Sequence, residues 1–346
     1  MTKNALLLAA LLAAGGCADA DKSVFEQSAS PAEAVRSVAV SGSHACALRE
    51  AGLYCWGENF AGQLGDGTTT DSERPVRVPI DTADIVEVAA STGRTCVRRS
   101  GGTIECWGAN NSGQAGDGTR EEALAPVAAA GVDDAIQVAV DDITTCAVRE
   151  AGEVVCWGGS PKSAPERGSL APRAIEGLED IVELRGGVID TYCARDAADE
   201  VWCFRLEGED WPRAFPVPEL SGARSIAVTG NDEVCALTEQ RTATCHNLTT
   251  GSDVPLVGAT GLVELVGTSL VACAKDDAGA WTCWNILPQL LDMVGAIAIP
   301  VPVEMPLVEL AIGGFQFCAL QGDDSVGCAN AETGMPELKL ISELPR

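Results

Sequence analysis

Paired cysteines at a regular spacing constrain the fold of this 346-residue chain more than any other feature. Successive pairs begin 50, 50, 47, 42, 38 and 45 residues after one another, a period typical of repeat architectures. The spacing predicts seven units over residues 37–346. In each pair the two cysteines are nine or ten residues apart, and the pairs are Cys46 and Cys55, Cys96 and Cys106, Cys146 and Cys156, Cys193 and Cys203, Cys235 and Cys245, Cys273 and Cys283, and Cys318 and Cys328.

Each unit has the pattern of a small antiparallel sheet. An apolar alternation such as IVEVAA at 85–90 predicts a first strand. Glycine between the paired cysteines, as in REAG at 49–52, favours a hairpin turn. A proline-containing apolar stretch such as PVRVPI at 75–80 suits an edge strand, where not every ladder hydrogen bond is used. Four strands per unit are typical of a propeller blade.

The cysteines of a pair are predicted to form a disulfide within their own unit. Residues that face each other across a hairpin at a non-hydrogen-bonded position have Cα atoms about 4.5 Å apart, within disulfide range. Zinc binding is disfavoured, because the chain has no Cys-x-x-Cys motif and only two histidines. A chain with so many disulfides belongs in an oxidising compartment.

Two segments carry a resemblance to a known family. GSHACALREAGLYCWGENFAGQLGDGTTTDSERPVRV (42–78) and TCVRRSGGTIECWGANNSGQAGDGT (95–119) resemble the repeat of the regulator of chromosome condensation, RCC1. The third unit keeps only part of this motif, and later units keep the cysteines, the alternation and the prolines. The resemblance implies an all-β, seven-bladed propeller with one intrablade disulfide per blade. It also implies closure by pairing the region of 35–42 with 337–344 in one shared blade.

The first residues have the pattern of an export signal. Lys3 precedes an apolar run from Ala5 to Ala14, which is too short to span a bilayer. Ala14-Gly15-Gly16-Cys17 resembles a bacterial lipobox, in which the cysteine carries the lipid. We therefore predict a lipoprotein signal peptide at 1–16, and Cys17 with a flexible tether at 17–36. An ordinary secretory signal is the alternative. The expected location is a bacterial membrane, at the outer membrane or cell surface.

Charge limits the possible partners. The formal net charge is −27, from 23 Lys and Arg against 50 Asp and Glu. A strongly acidic surface repels nucleic acid and anionic lipid. We expect no nucleic-acid partner, no cofactor and a monomeric chain that binds an unidentified envelope protein or glycan.

The sequence shows no constellation of catalytic or metal-binding residues. CWGENFAGQLGDGT at 55–68 lacks the Lys-Ser/Thr of a phosphate-binding loop and the ligand spacing of a calcium site, so it is interpreted as a turn. His44 and His246 are expected to have structural roles. In five units an aromatic residue comes directly after the second cysteine of the pair, and these residues are expected to pack between blades. They are Trp56, Trp107, Trp157, Phe204 and Trp284.

Recognition is expected in the loops before the first cysteine of each pair, which the repeat places on one face. Their sequences differ from unit to unit, which suits a binding surface, although relaxed drift explains it equally well. The candidate contact residues are Arg94, Asp142, Asp190, Asp232, Phe315 and Phe317. The preferred hypothesis is a non-enzymatic, lipid-anchored binding module that uses one propeller face. The alternatives are an inhibitor or regulator of an envelope enzyme, similar to a secreted β-lactamase-inhibiting propeller, and a propeller lyase or hydrolase.

Overall fold

The computed structural model describes residues 35–159, 168–187, 191–206, 211–230, 232–256, 258, 260–267, 271–285, 298–300, 307–313, 316–321, 326–330 and 339–340. These residues form four-stranded antiparallel sheets, each made of four strands that are consecutive in the chain. The predicted signal peptide and Cys17 lie outside the described residues. So does the predicted tether, except for its last two residues.

The first strand of each sheet lies at the centre of the molecule, because it contacts the first strands of the neighbouring sheets. These inner strands are β1 (Val35–Val40), β5 (Ile85–Ser91), β9 (Ala135–Val140), β13 (Ile181–Gly186), β17 (Ala223–Thr229), β21 (Leu262–Gly267) and β25 (Leu307–Gly313). Sheets arranged around a shared central axis in this way form a β-propeller.

The second and third strands of each sheet form the predicted hairpin. The second strands are β2 (His44–Arg49), β6 (Arg94–Arg99), β10 (Thr144–Arg149), β14 (Thr191–Asp196), β18 (Glu233–Thr238), β22 (Val271–Asp276) and β26 (Gln316–Gln321). The third strands are β3 (Gly52–Gly57), β7 (Ile104–Gly108), β11 (Val154–Gly158), β15 (Val201–Arg205), β19 (Ala243–Asn247), β23 (Trp281–Asn285) and β27 (Val326–Asn330).

The fourth strands form the outer edge. They are β4 (Ser72–Arg77), β8 (Ala123–Ala128), β12 (Ser169–Ala174), β16 (Phe215–Pro216), β20 (Asp253–Leu256), β24 (Ala298–Pro300) and β28 (Lys339–Leu340). The first six of these strands each contain a proline, which an edge strand tolerates because one side of its backbone has no partner strand. One turn of 3-10 helix, Pro218–Leu220, follows β16.

Six disulfides join the second and third strands of the first six sheets, at the predicted cysteine pairs from Cys46 and Cys55 to Cys273 and Cys283. The paired Cα atoms are 3.8 to 4.1 Å apart, because the cysteines lie directly opposite each other in the strand register. All twelve sulfurs lie in the buried interior of their blades.

The prediction of a seven-bladed propeller with one intrablade disulfide per blade is wrong, because the structure has six blades with six intrablade disulfides. The remaining strands, β25 to β28, form a further four-stranded sheet, in which the described side chains are those of Cys318 and Val326. Cys318 is disulfide-bonded, whereas the side chain of Cys328 lies outside the described residues. Counting cysteine pairs assigns one bridged blade to every pair, whereas six bridges lie among the described residues.

The predicted closure by a shared blade is also wrong. β1 belongs to the sheet of β2 to β4, and β28 pairs with β27. The ends of the ring meet instead by packing, because β1 contacts β25 and β26. Among the described residues, each repeat supplies all four strands of its own sheet.

The hydrophobic core consists of layers between neighbouring blades. In one layer Leu48, Leu53 and Leu64 of the first blade pack with Ile85 and Trp107 of the second. Equivalent layers follow around the ring, and one of them joins Trp56 of the first blade to Cys318 and Val326 of the terminal sheet. Among the described residues, none forms a helix long and apolar enough to cross a membrane.

Candidate functional site

The propeller has two faces that differ in what they expose. Neighbouring strands are antiparallel, so the first residue of an inner strand lies beside the end of the second strand, as Val35 pairs with Arg49 and Ile85 with Arg99. We call this end, which also carries the hairpins between second and third strands, the hairpin face. The opposite end, which carries the turns between first and second strands, is the loop face.

His44 lies on the loop face and is fully buried. Its Nδ1 is 2.9 Å from the Ser41 hydroxyl, and its Nε2 is 2.7 Å from the hydroxyl of Thr95 in the next blade. Burial lowers the pKa of His44 to about 3, so the ring is neutral at physiological pH. The ring therefore links two blades, in agreement with the structural role predicted for it.

Arg94 is equivalent to His44 in the second blade and is also fully buried. Its Nη2 donates hydrogen bonds to the backbone oxygens of Asp141 (2.7 Å) and Thr144 (2.6 Å) in the third blade. Burial lowers the pKa of Arg94, and the nearby charge of Asp141 opposes this shift. The prediction that Arg94 contacts a partner is not supported, because the side chain points between blades rather than into solvent.

The other predicted contact residues are distributed unevenly. Asp142 is partly exposed, beside the buried Asp141. Asp232 accepts a hydrogen bond from the Thr249 hydroxyl (2.7 Å) and pairs with Arg205 (3.2 Å). Asp190 and Phe315 lie outside the described residues, as does the side chain of Phe317 on β26. Partner contacts by these residues remain predictions.

The CWGENFAGQLGDGT segment forms a scaffold between blades. The backbone oxygen of Gln63 accepts hydrogen bonds from the Thr95 hydroxyl and from the Trp107 indole of the next blade, both at 2.9 Å. Gly65 has a φ of +69°, and a Cβ there would lie 2.5 Å from Trp107 Nε1. The buried Asn59 holds the turn together from inside by accepting a hydrogen bond from Leu64 N (2.9 Å).

The aromatic residues at the cysteine-flanking position pack between blades, as predicted. Trp107, Trp157, Phe204 and Trp284 are fully buried, and Trp56 nearly so. His246 replaces the aromatic residue in the fifth blade and binds the Asp253 carboxylate at 2.7 Å. Within the part of the chain that the structure describes, no group of three or more His, Cys, Asp or Glu residues could hold a metal ion.

The hairpin face carries a ring of side chains that the sequence analysis did not single out. Every inner strand has a β-bulge after its first residue, where the register with the second strand shifts. A bulge re-aims the extra side chain out of the regular alternation. Around the centre of the face the bulge residues are Arg36, Val86, Ile136, Val182, Arg224, Val263 and Val308. Four of these are aliphatic residues between 42% and 50% exposed: Val86, Ile136, Val182 and Val263.

In the second, third and fourth blades, the residue after the bulge forms hydrogen bonds to the next blade. Gln137 both donates to and accepts from the backbone of Leu184, at 2.9 Å in each direction. Glu87 accepts a hydrogen bond from Val138 N at 3.3 Å, and Glu183 accepts one from Ile226 N at 3.4 Å. These contacts fix neighbouring bulges relative to each other, so the exposed ring is built on a rigid support.

A cavity of about 480 Å³ lies at this ring and is lined by residues of the second, third, fourth and fifth blades. Val86, Ile136 and Val182 line it together with charged side chains, and we call it the mouth cavity. Burial raises the pKa of Glu87, while its hydrogen bond to Arg98, at 2.7 Å, acts in the opposite direction. The cavity thus combines exposed aliphatic groups with fixed ion pairs.

The ring had a weak signature in the sequence. IVE at 85–87 and at 181–183, and LVE at 262–264 and at 307–309, place two apolar residues in succession where a strand with one buried face should alternate. Such an interruption is typical of a bulge. The cavity itself has no local signature, because its lining comes from four different blades.

Comparisons with known proteins agree with this fold. Two models of the regulator of chromosome condensation (RCC1) repeat match residues 50–97 and 35–63. The human E3 ubiquitin-protein ligase HERC2 is 32% identical over 96 residues, which cover 27% of this chain and 2% of HERC2, as is its mouse counterpart. The chain therefore spans only a small fraction of these curated relatives.

Solved structures resemble a larger part of the chain. Yeast RCC1 (Prp20), solved bound to Kap60, has a TM-score of 0.65 and 17% identity, over 81% of this chain and 78% of Prp20. The CRINKLY WD40 ectodomain of the Arabidopsis thaliana receptor kinase ACR4 has a TM-score of 0.57 and 19% identity, over 88% of this chain and 98% of that one. At these identities the resemblance concerns the fold.

The ring of four-stranded sheets around a central axis makes this protein a β-propeller. The repeat matches define its type more narrowly. The chain is similar to RCC1 repeat propellers, with the repeat models matching within residues 35–97 and the likeness in fold covering 81% of the chain.

Proposed function

We propose that this protein is a lipid-anchored binding module of a bacterial envelope, and that it binds a partner protein through the hairpin face. The observation that carries the proposal is the ring of exposed aliphatic bulge residues around the mouth cavity. Exposed apolar groups that are surrounded by polar side chains mark protein interaction sites. Here the ring is held by hydrogen bonds between blades, so binding requires little ordering of the surface.

The loop face offers less for recognition. Its equivalent positions in the first five blades, from His44 to Glu233, are buried, and those of the first two blades, His44 and Arg94, form hydrogen bonds to the next blade. The fold resemblance is consistent with a binding role, because the structures of yeast Prp20 concern its binding to Kap60, to Gsp1p and to histones. Those partners belong to Prp20, and the partner of this chain is a separate question.

The proposed binding face is tested by site-specific photocrosslinking in the native envelope. A benzophenone amino acid at Ile136 should yield a discrete crosslinked partner, because this side chain stands at the rim of the mouth cavity. Placing the Val182→Asp substitution in the same protein should abolish that product. A control crosslinker at Glu122, which is exposed beside the outer strand β8, should not capture the partner. Equal capture from both positions, or none from Ile136, would contradict the proposal.

The lipid anchor has its own test. With a radiolabelled fatty acid in the growth medium, the unaltered chain should be labelled, and Cys17→Ser should abolish the label because no other residue matches the lipobox pattern. The paired variant Cys146→Ala with Cys156→Ala should stay labelled, since those thiols are joined in a disulfide. Persistence of the label in Cys17→Ser would exclude the anchor and leave the binding face unaffected.

A further inference from the structure

We propose that the mouth cavity binds an acidic peptide segment of the partner, one that carries a branched aliphatic or aromatic side chain beside its carboxylates. This inference rests on the proposed function and names the chemistry of the partner. It follows from the charges in the cavity, from the exposure of its arginines and from the apolar rim.

The cavity has a local excess of positive charge in a strongly acidic protein. The whole chain has 23 basic and 50 acidic residues, yet the cavity lining contains the four arginines 98, 185, 195 and 224 and only two glutamates, 87 and 183. A concave site with more basic than acidic side chains, in a protein that is acidic overall, favours the binding of an anionic group.

The two glutamates are already engaged. Glu87 pairs with Arg98 at 2.7 Å and also accepts the backbone hydrogen bond from the next blade. Glu183 is shared by two arginines, because Arg185 Nη2 and Arg195 Nε both lie 3.0 Å from its carboxylate. The carboxylate also accepts a hydrogen bond from the Ser225 hydroxyl at 2.9 Å. Within the lining, one carboxylate therefore faces two guanidinium groups.

The arginines differ in how accessible they are. The side chains of Arg98 and Arg195 are only 16% and 17% exposed, and Arg195 also pairs with Asp199 at 2.7 Å. Those of Arg185 and Arg224 are 41% and 57% exposed. The first two support the cavity, whereas the second two can reach a bound molecule.

Arg224 has a partner that a ligand can replace. It pairs with Glu239 at 2.6 Å, but Glu239 is 58% exposed and lies outside the lining. Exposed ion pairs contribute little to stability, so exchange of Glu239 for a ligand carboxylate costs little. A peptide carboxylate can also approach the exposed side of Arg185 without disturbing Glu183.

The apolar side chains at the rim of the mouth cavity favour a peptide over other anions. Val86, Ile136 and Val182 stand beside the arginines and would lie against an apolar side chain. Nucleic acid and anionic lipid present extended negative surfaces, which the net charge of −27 repels. A short acidic segment places few charges close to the arginines and an apolar group on the rim.

The test is fluorescence anisotropy with the full chain and labelled probe peptides. The acidic probe has one leucine flanked on each side by two glutamates, and the matched probes have lysines or serines in place of the glutamates. The acidic probe should bind most tightly. Arg185→Glu combined with Arg224→Glu should weaken its binding at least roughly tenfold, the equivalent of two exposed ion pairs. Arg77→Glu combined with Arg213→Glu changes the net charge equally at exposed positions outside the cavity and should leave binding intact.

The outcomes separate this inference from the proposed function. Equal binding of the serine probe would support an apolar docking face but overturn the acidic partner. Unchanged binding in the Arg185 and Arg224 variant would overturn the site, provided that this variant and its control melt at the same temperature. Binding that appears only after removal of residues 1–34 would assign the cavity to the chain's own N-terminal segment. Loss of binding to phosphatidylglycerol vesicles in the same variant would assign it to a membrane.

Discussion

Reduction of the disulfides is expected to unfold this protein under conditions where the oxidised form is stable. Each of the six bridges closes a loop of nine or ten residues. The chain-entropy model assigns about 2.7 kcal/mol to a loop of that length. Even if the effects are far from additive, six bridges contribute on the order of 10 kcal/mol, which is comparable to the net stability of a whole domain. Thermal melts with and without a thiol reductant measure the effect.

A single bridge provides a quantitative version of this prediction. Cys146→Ala combined with Cys156→Ala should lower the free energy of unfolding by about 2 to 3 kcal/mol in urea melts without reductant. Cys17→Ser is the matched control and should leave this free energy unchanged, since Cys17 has no place in the pairs. Several thiols that react with a labelling reagent in the native, unreduced protein would refute the disulfide framework.

The second large effect concerns Glu233, which stabilises the protein only while it is protonated. Glu233 lies at the start of β18, is 3% exposed, and hydrogen-bonds with Asn247. Burial raises its pKa from 4.5 to about 7, although the hydrogen bond acts in the opposite direction. Between pH 4.5 and about pH 7, the Glu233 carboxyl group is therefore protonated in the folded state and ionised in the unfolded state. Its contribution is complete below about pH 4.5 and is lost as the pH rises to about 7.

Glu233→Gln should remove this dependence, because the amide stays neutral. Above about pH 7 we expect the variant to be more stable than the unaltered chain by about 2 to 3 kcal/mol, with a much smaller difference near pH 4.5. Urea melts of both proteins at several pH values measure the difference. A constant difference across this range would contradict the raised pKa.

Comparing two proteins at each pH is necessary because His44 acts in the opposite direction. Burial lowers its pKa from 6.5 to about 3, so the folded state excludes a proton that the unfolded state binds. The stability linked to His44 is present above about pH 6.5 and is lost as the pH falls towards 3. This contribution is common to both proteins and cancels in the difference between them.

Features whose contacts are local can be predicted from the sequence. Cys96 and Cys106 are ten residues apart and face each other because a hairpin lies between them. The proline in β4 indicates an edge strand because it has no N–H to donate to a neighbouring strand, and this holds independently of the other blades. Such features follow from chain geometry over a few residues.

A side chain whose surroundings come from another blade cannot be placed from the local sequence. Arg94 has the sequence context of an exposed turn, yet the third blade supplies the two carbonyl groups that hold it in the interior. Residues 94 and 144 are 50 positions apart, so no local pattern distinguishes a buried interblade arginine from a surface one.

By itself, the sequence determined the repeat, the four-stranded unit, the paired cysteines and the interblade aromatic residues, because each depends on spacing within one unit. Only the tertiary structure decided that six blades carry the described disulfides, that the ring closes by packing of β1 against β25 and β26, and that the bulge residues of four successive blades line one cavity. The physical reason is that these features depend on how the blades sit against one another. Val86, Ile136 and Val182 come from separate units and become neighbours when the inner strands pack around a common axis.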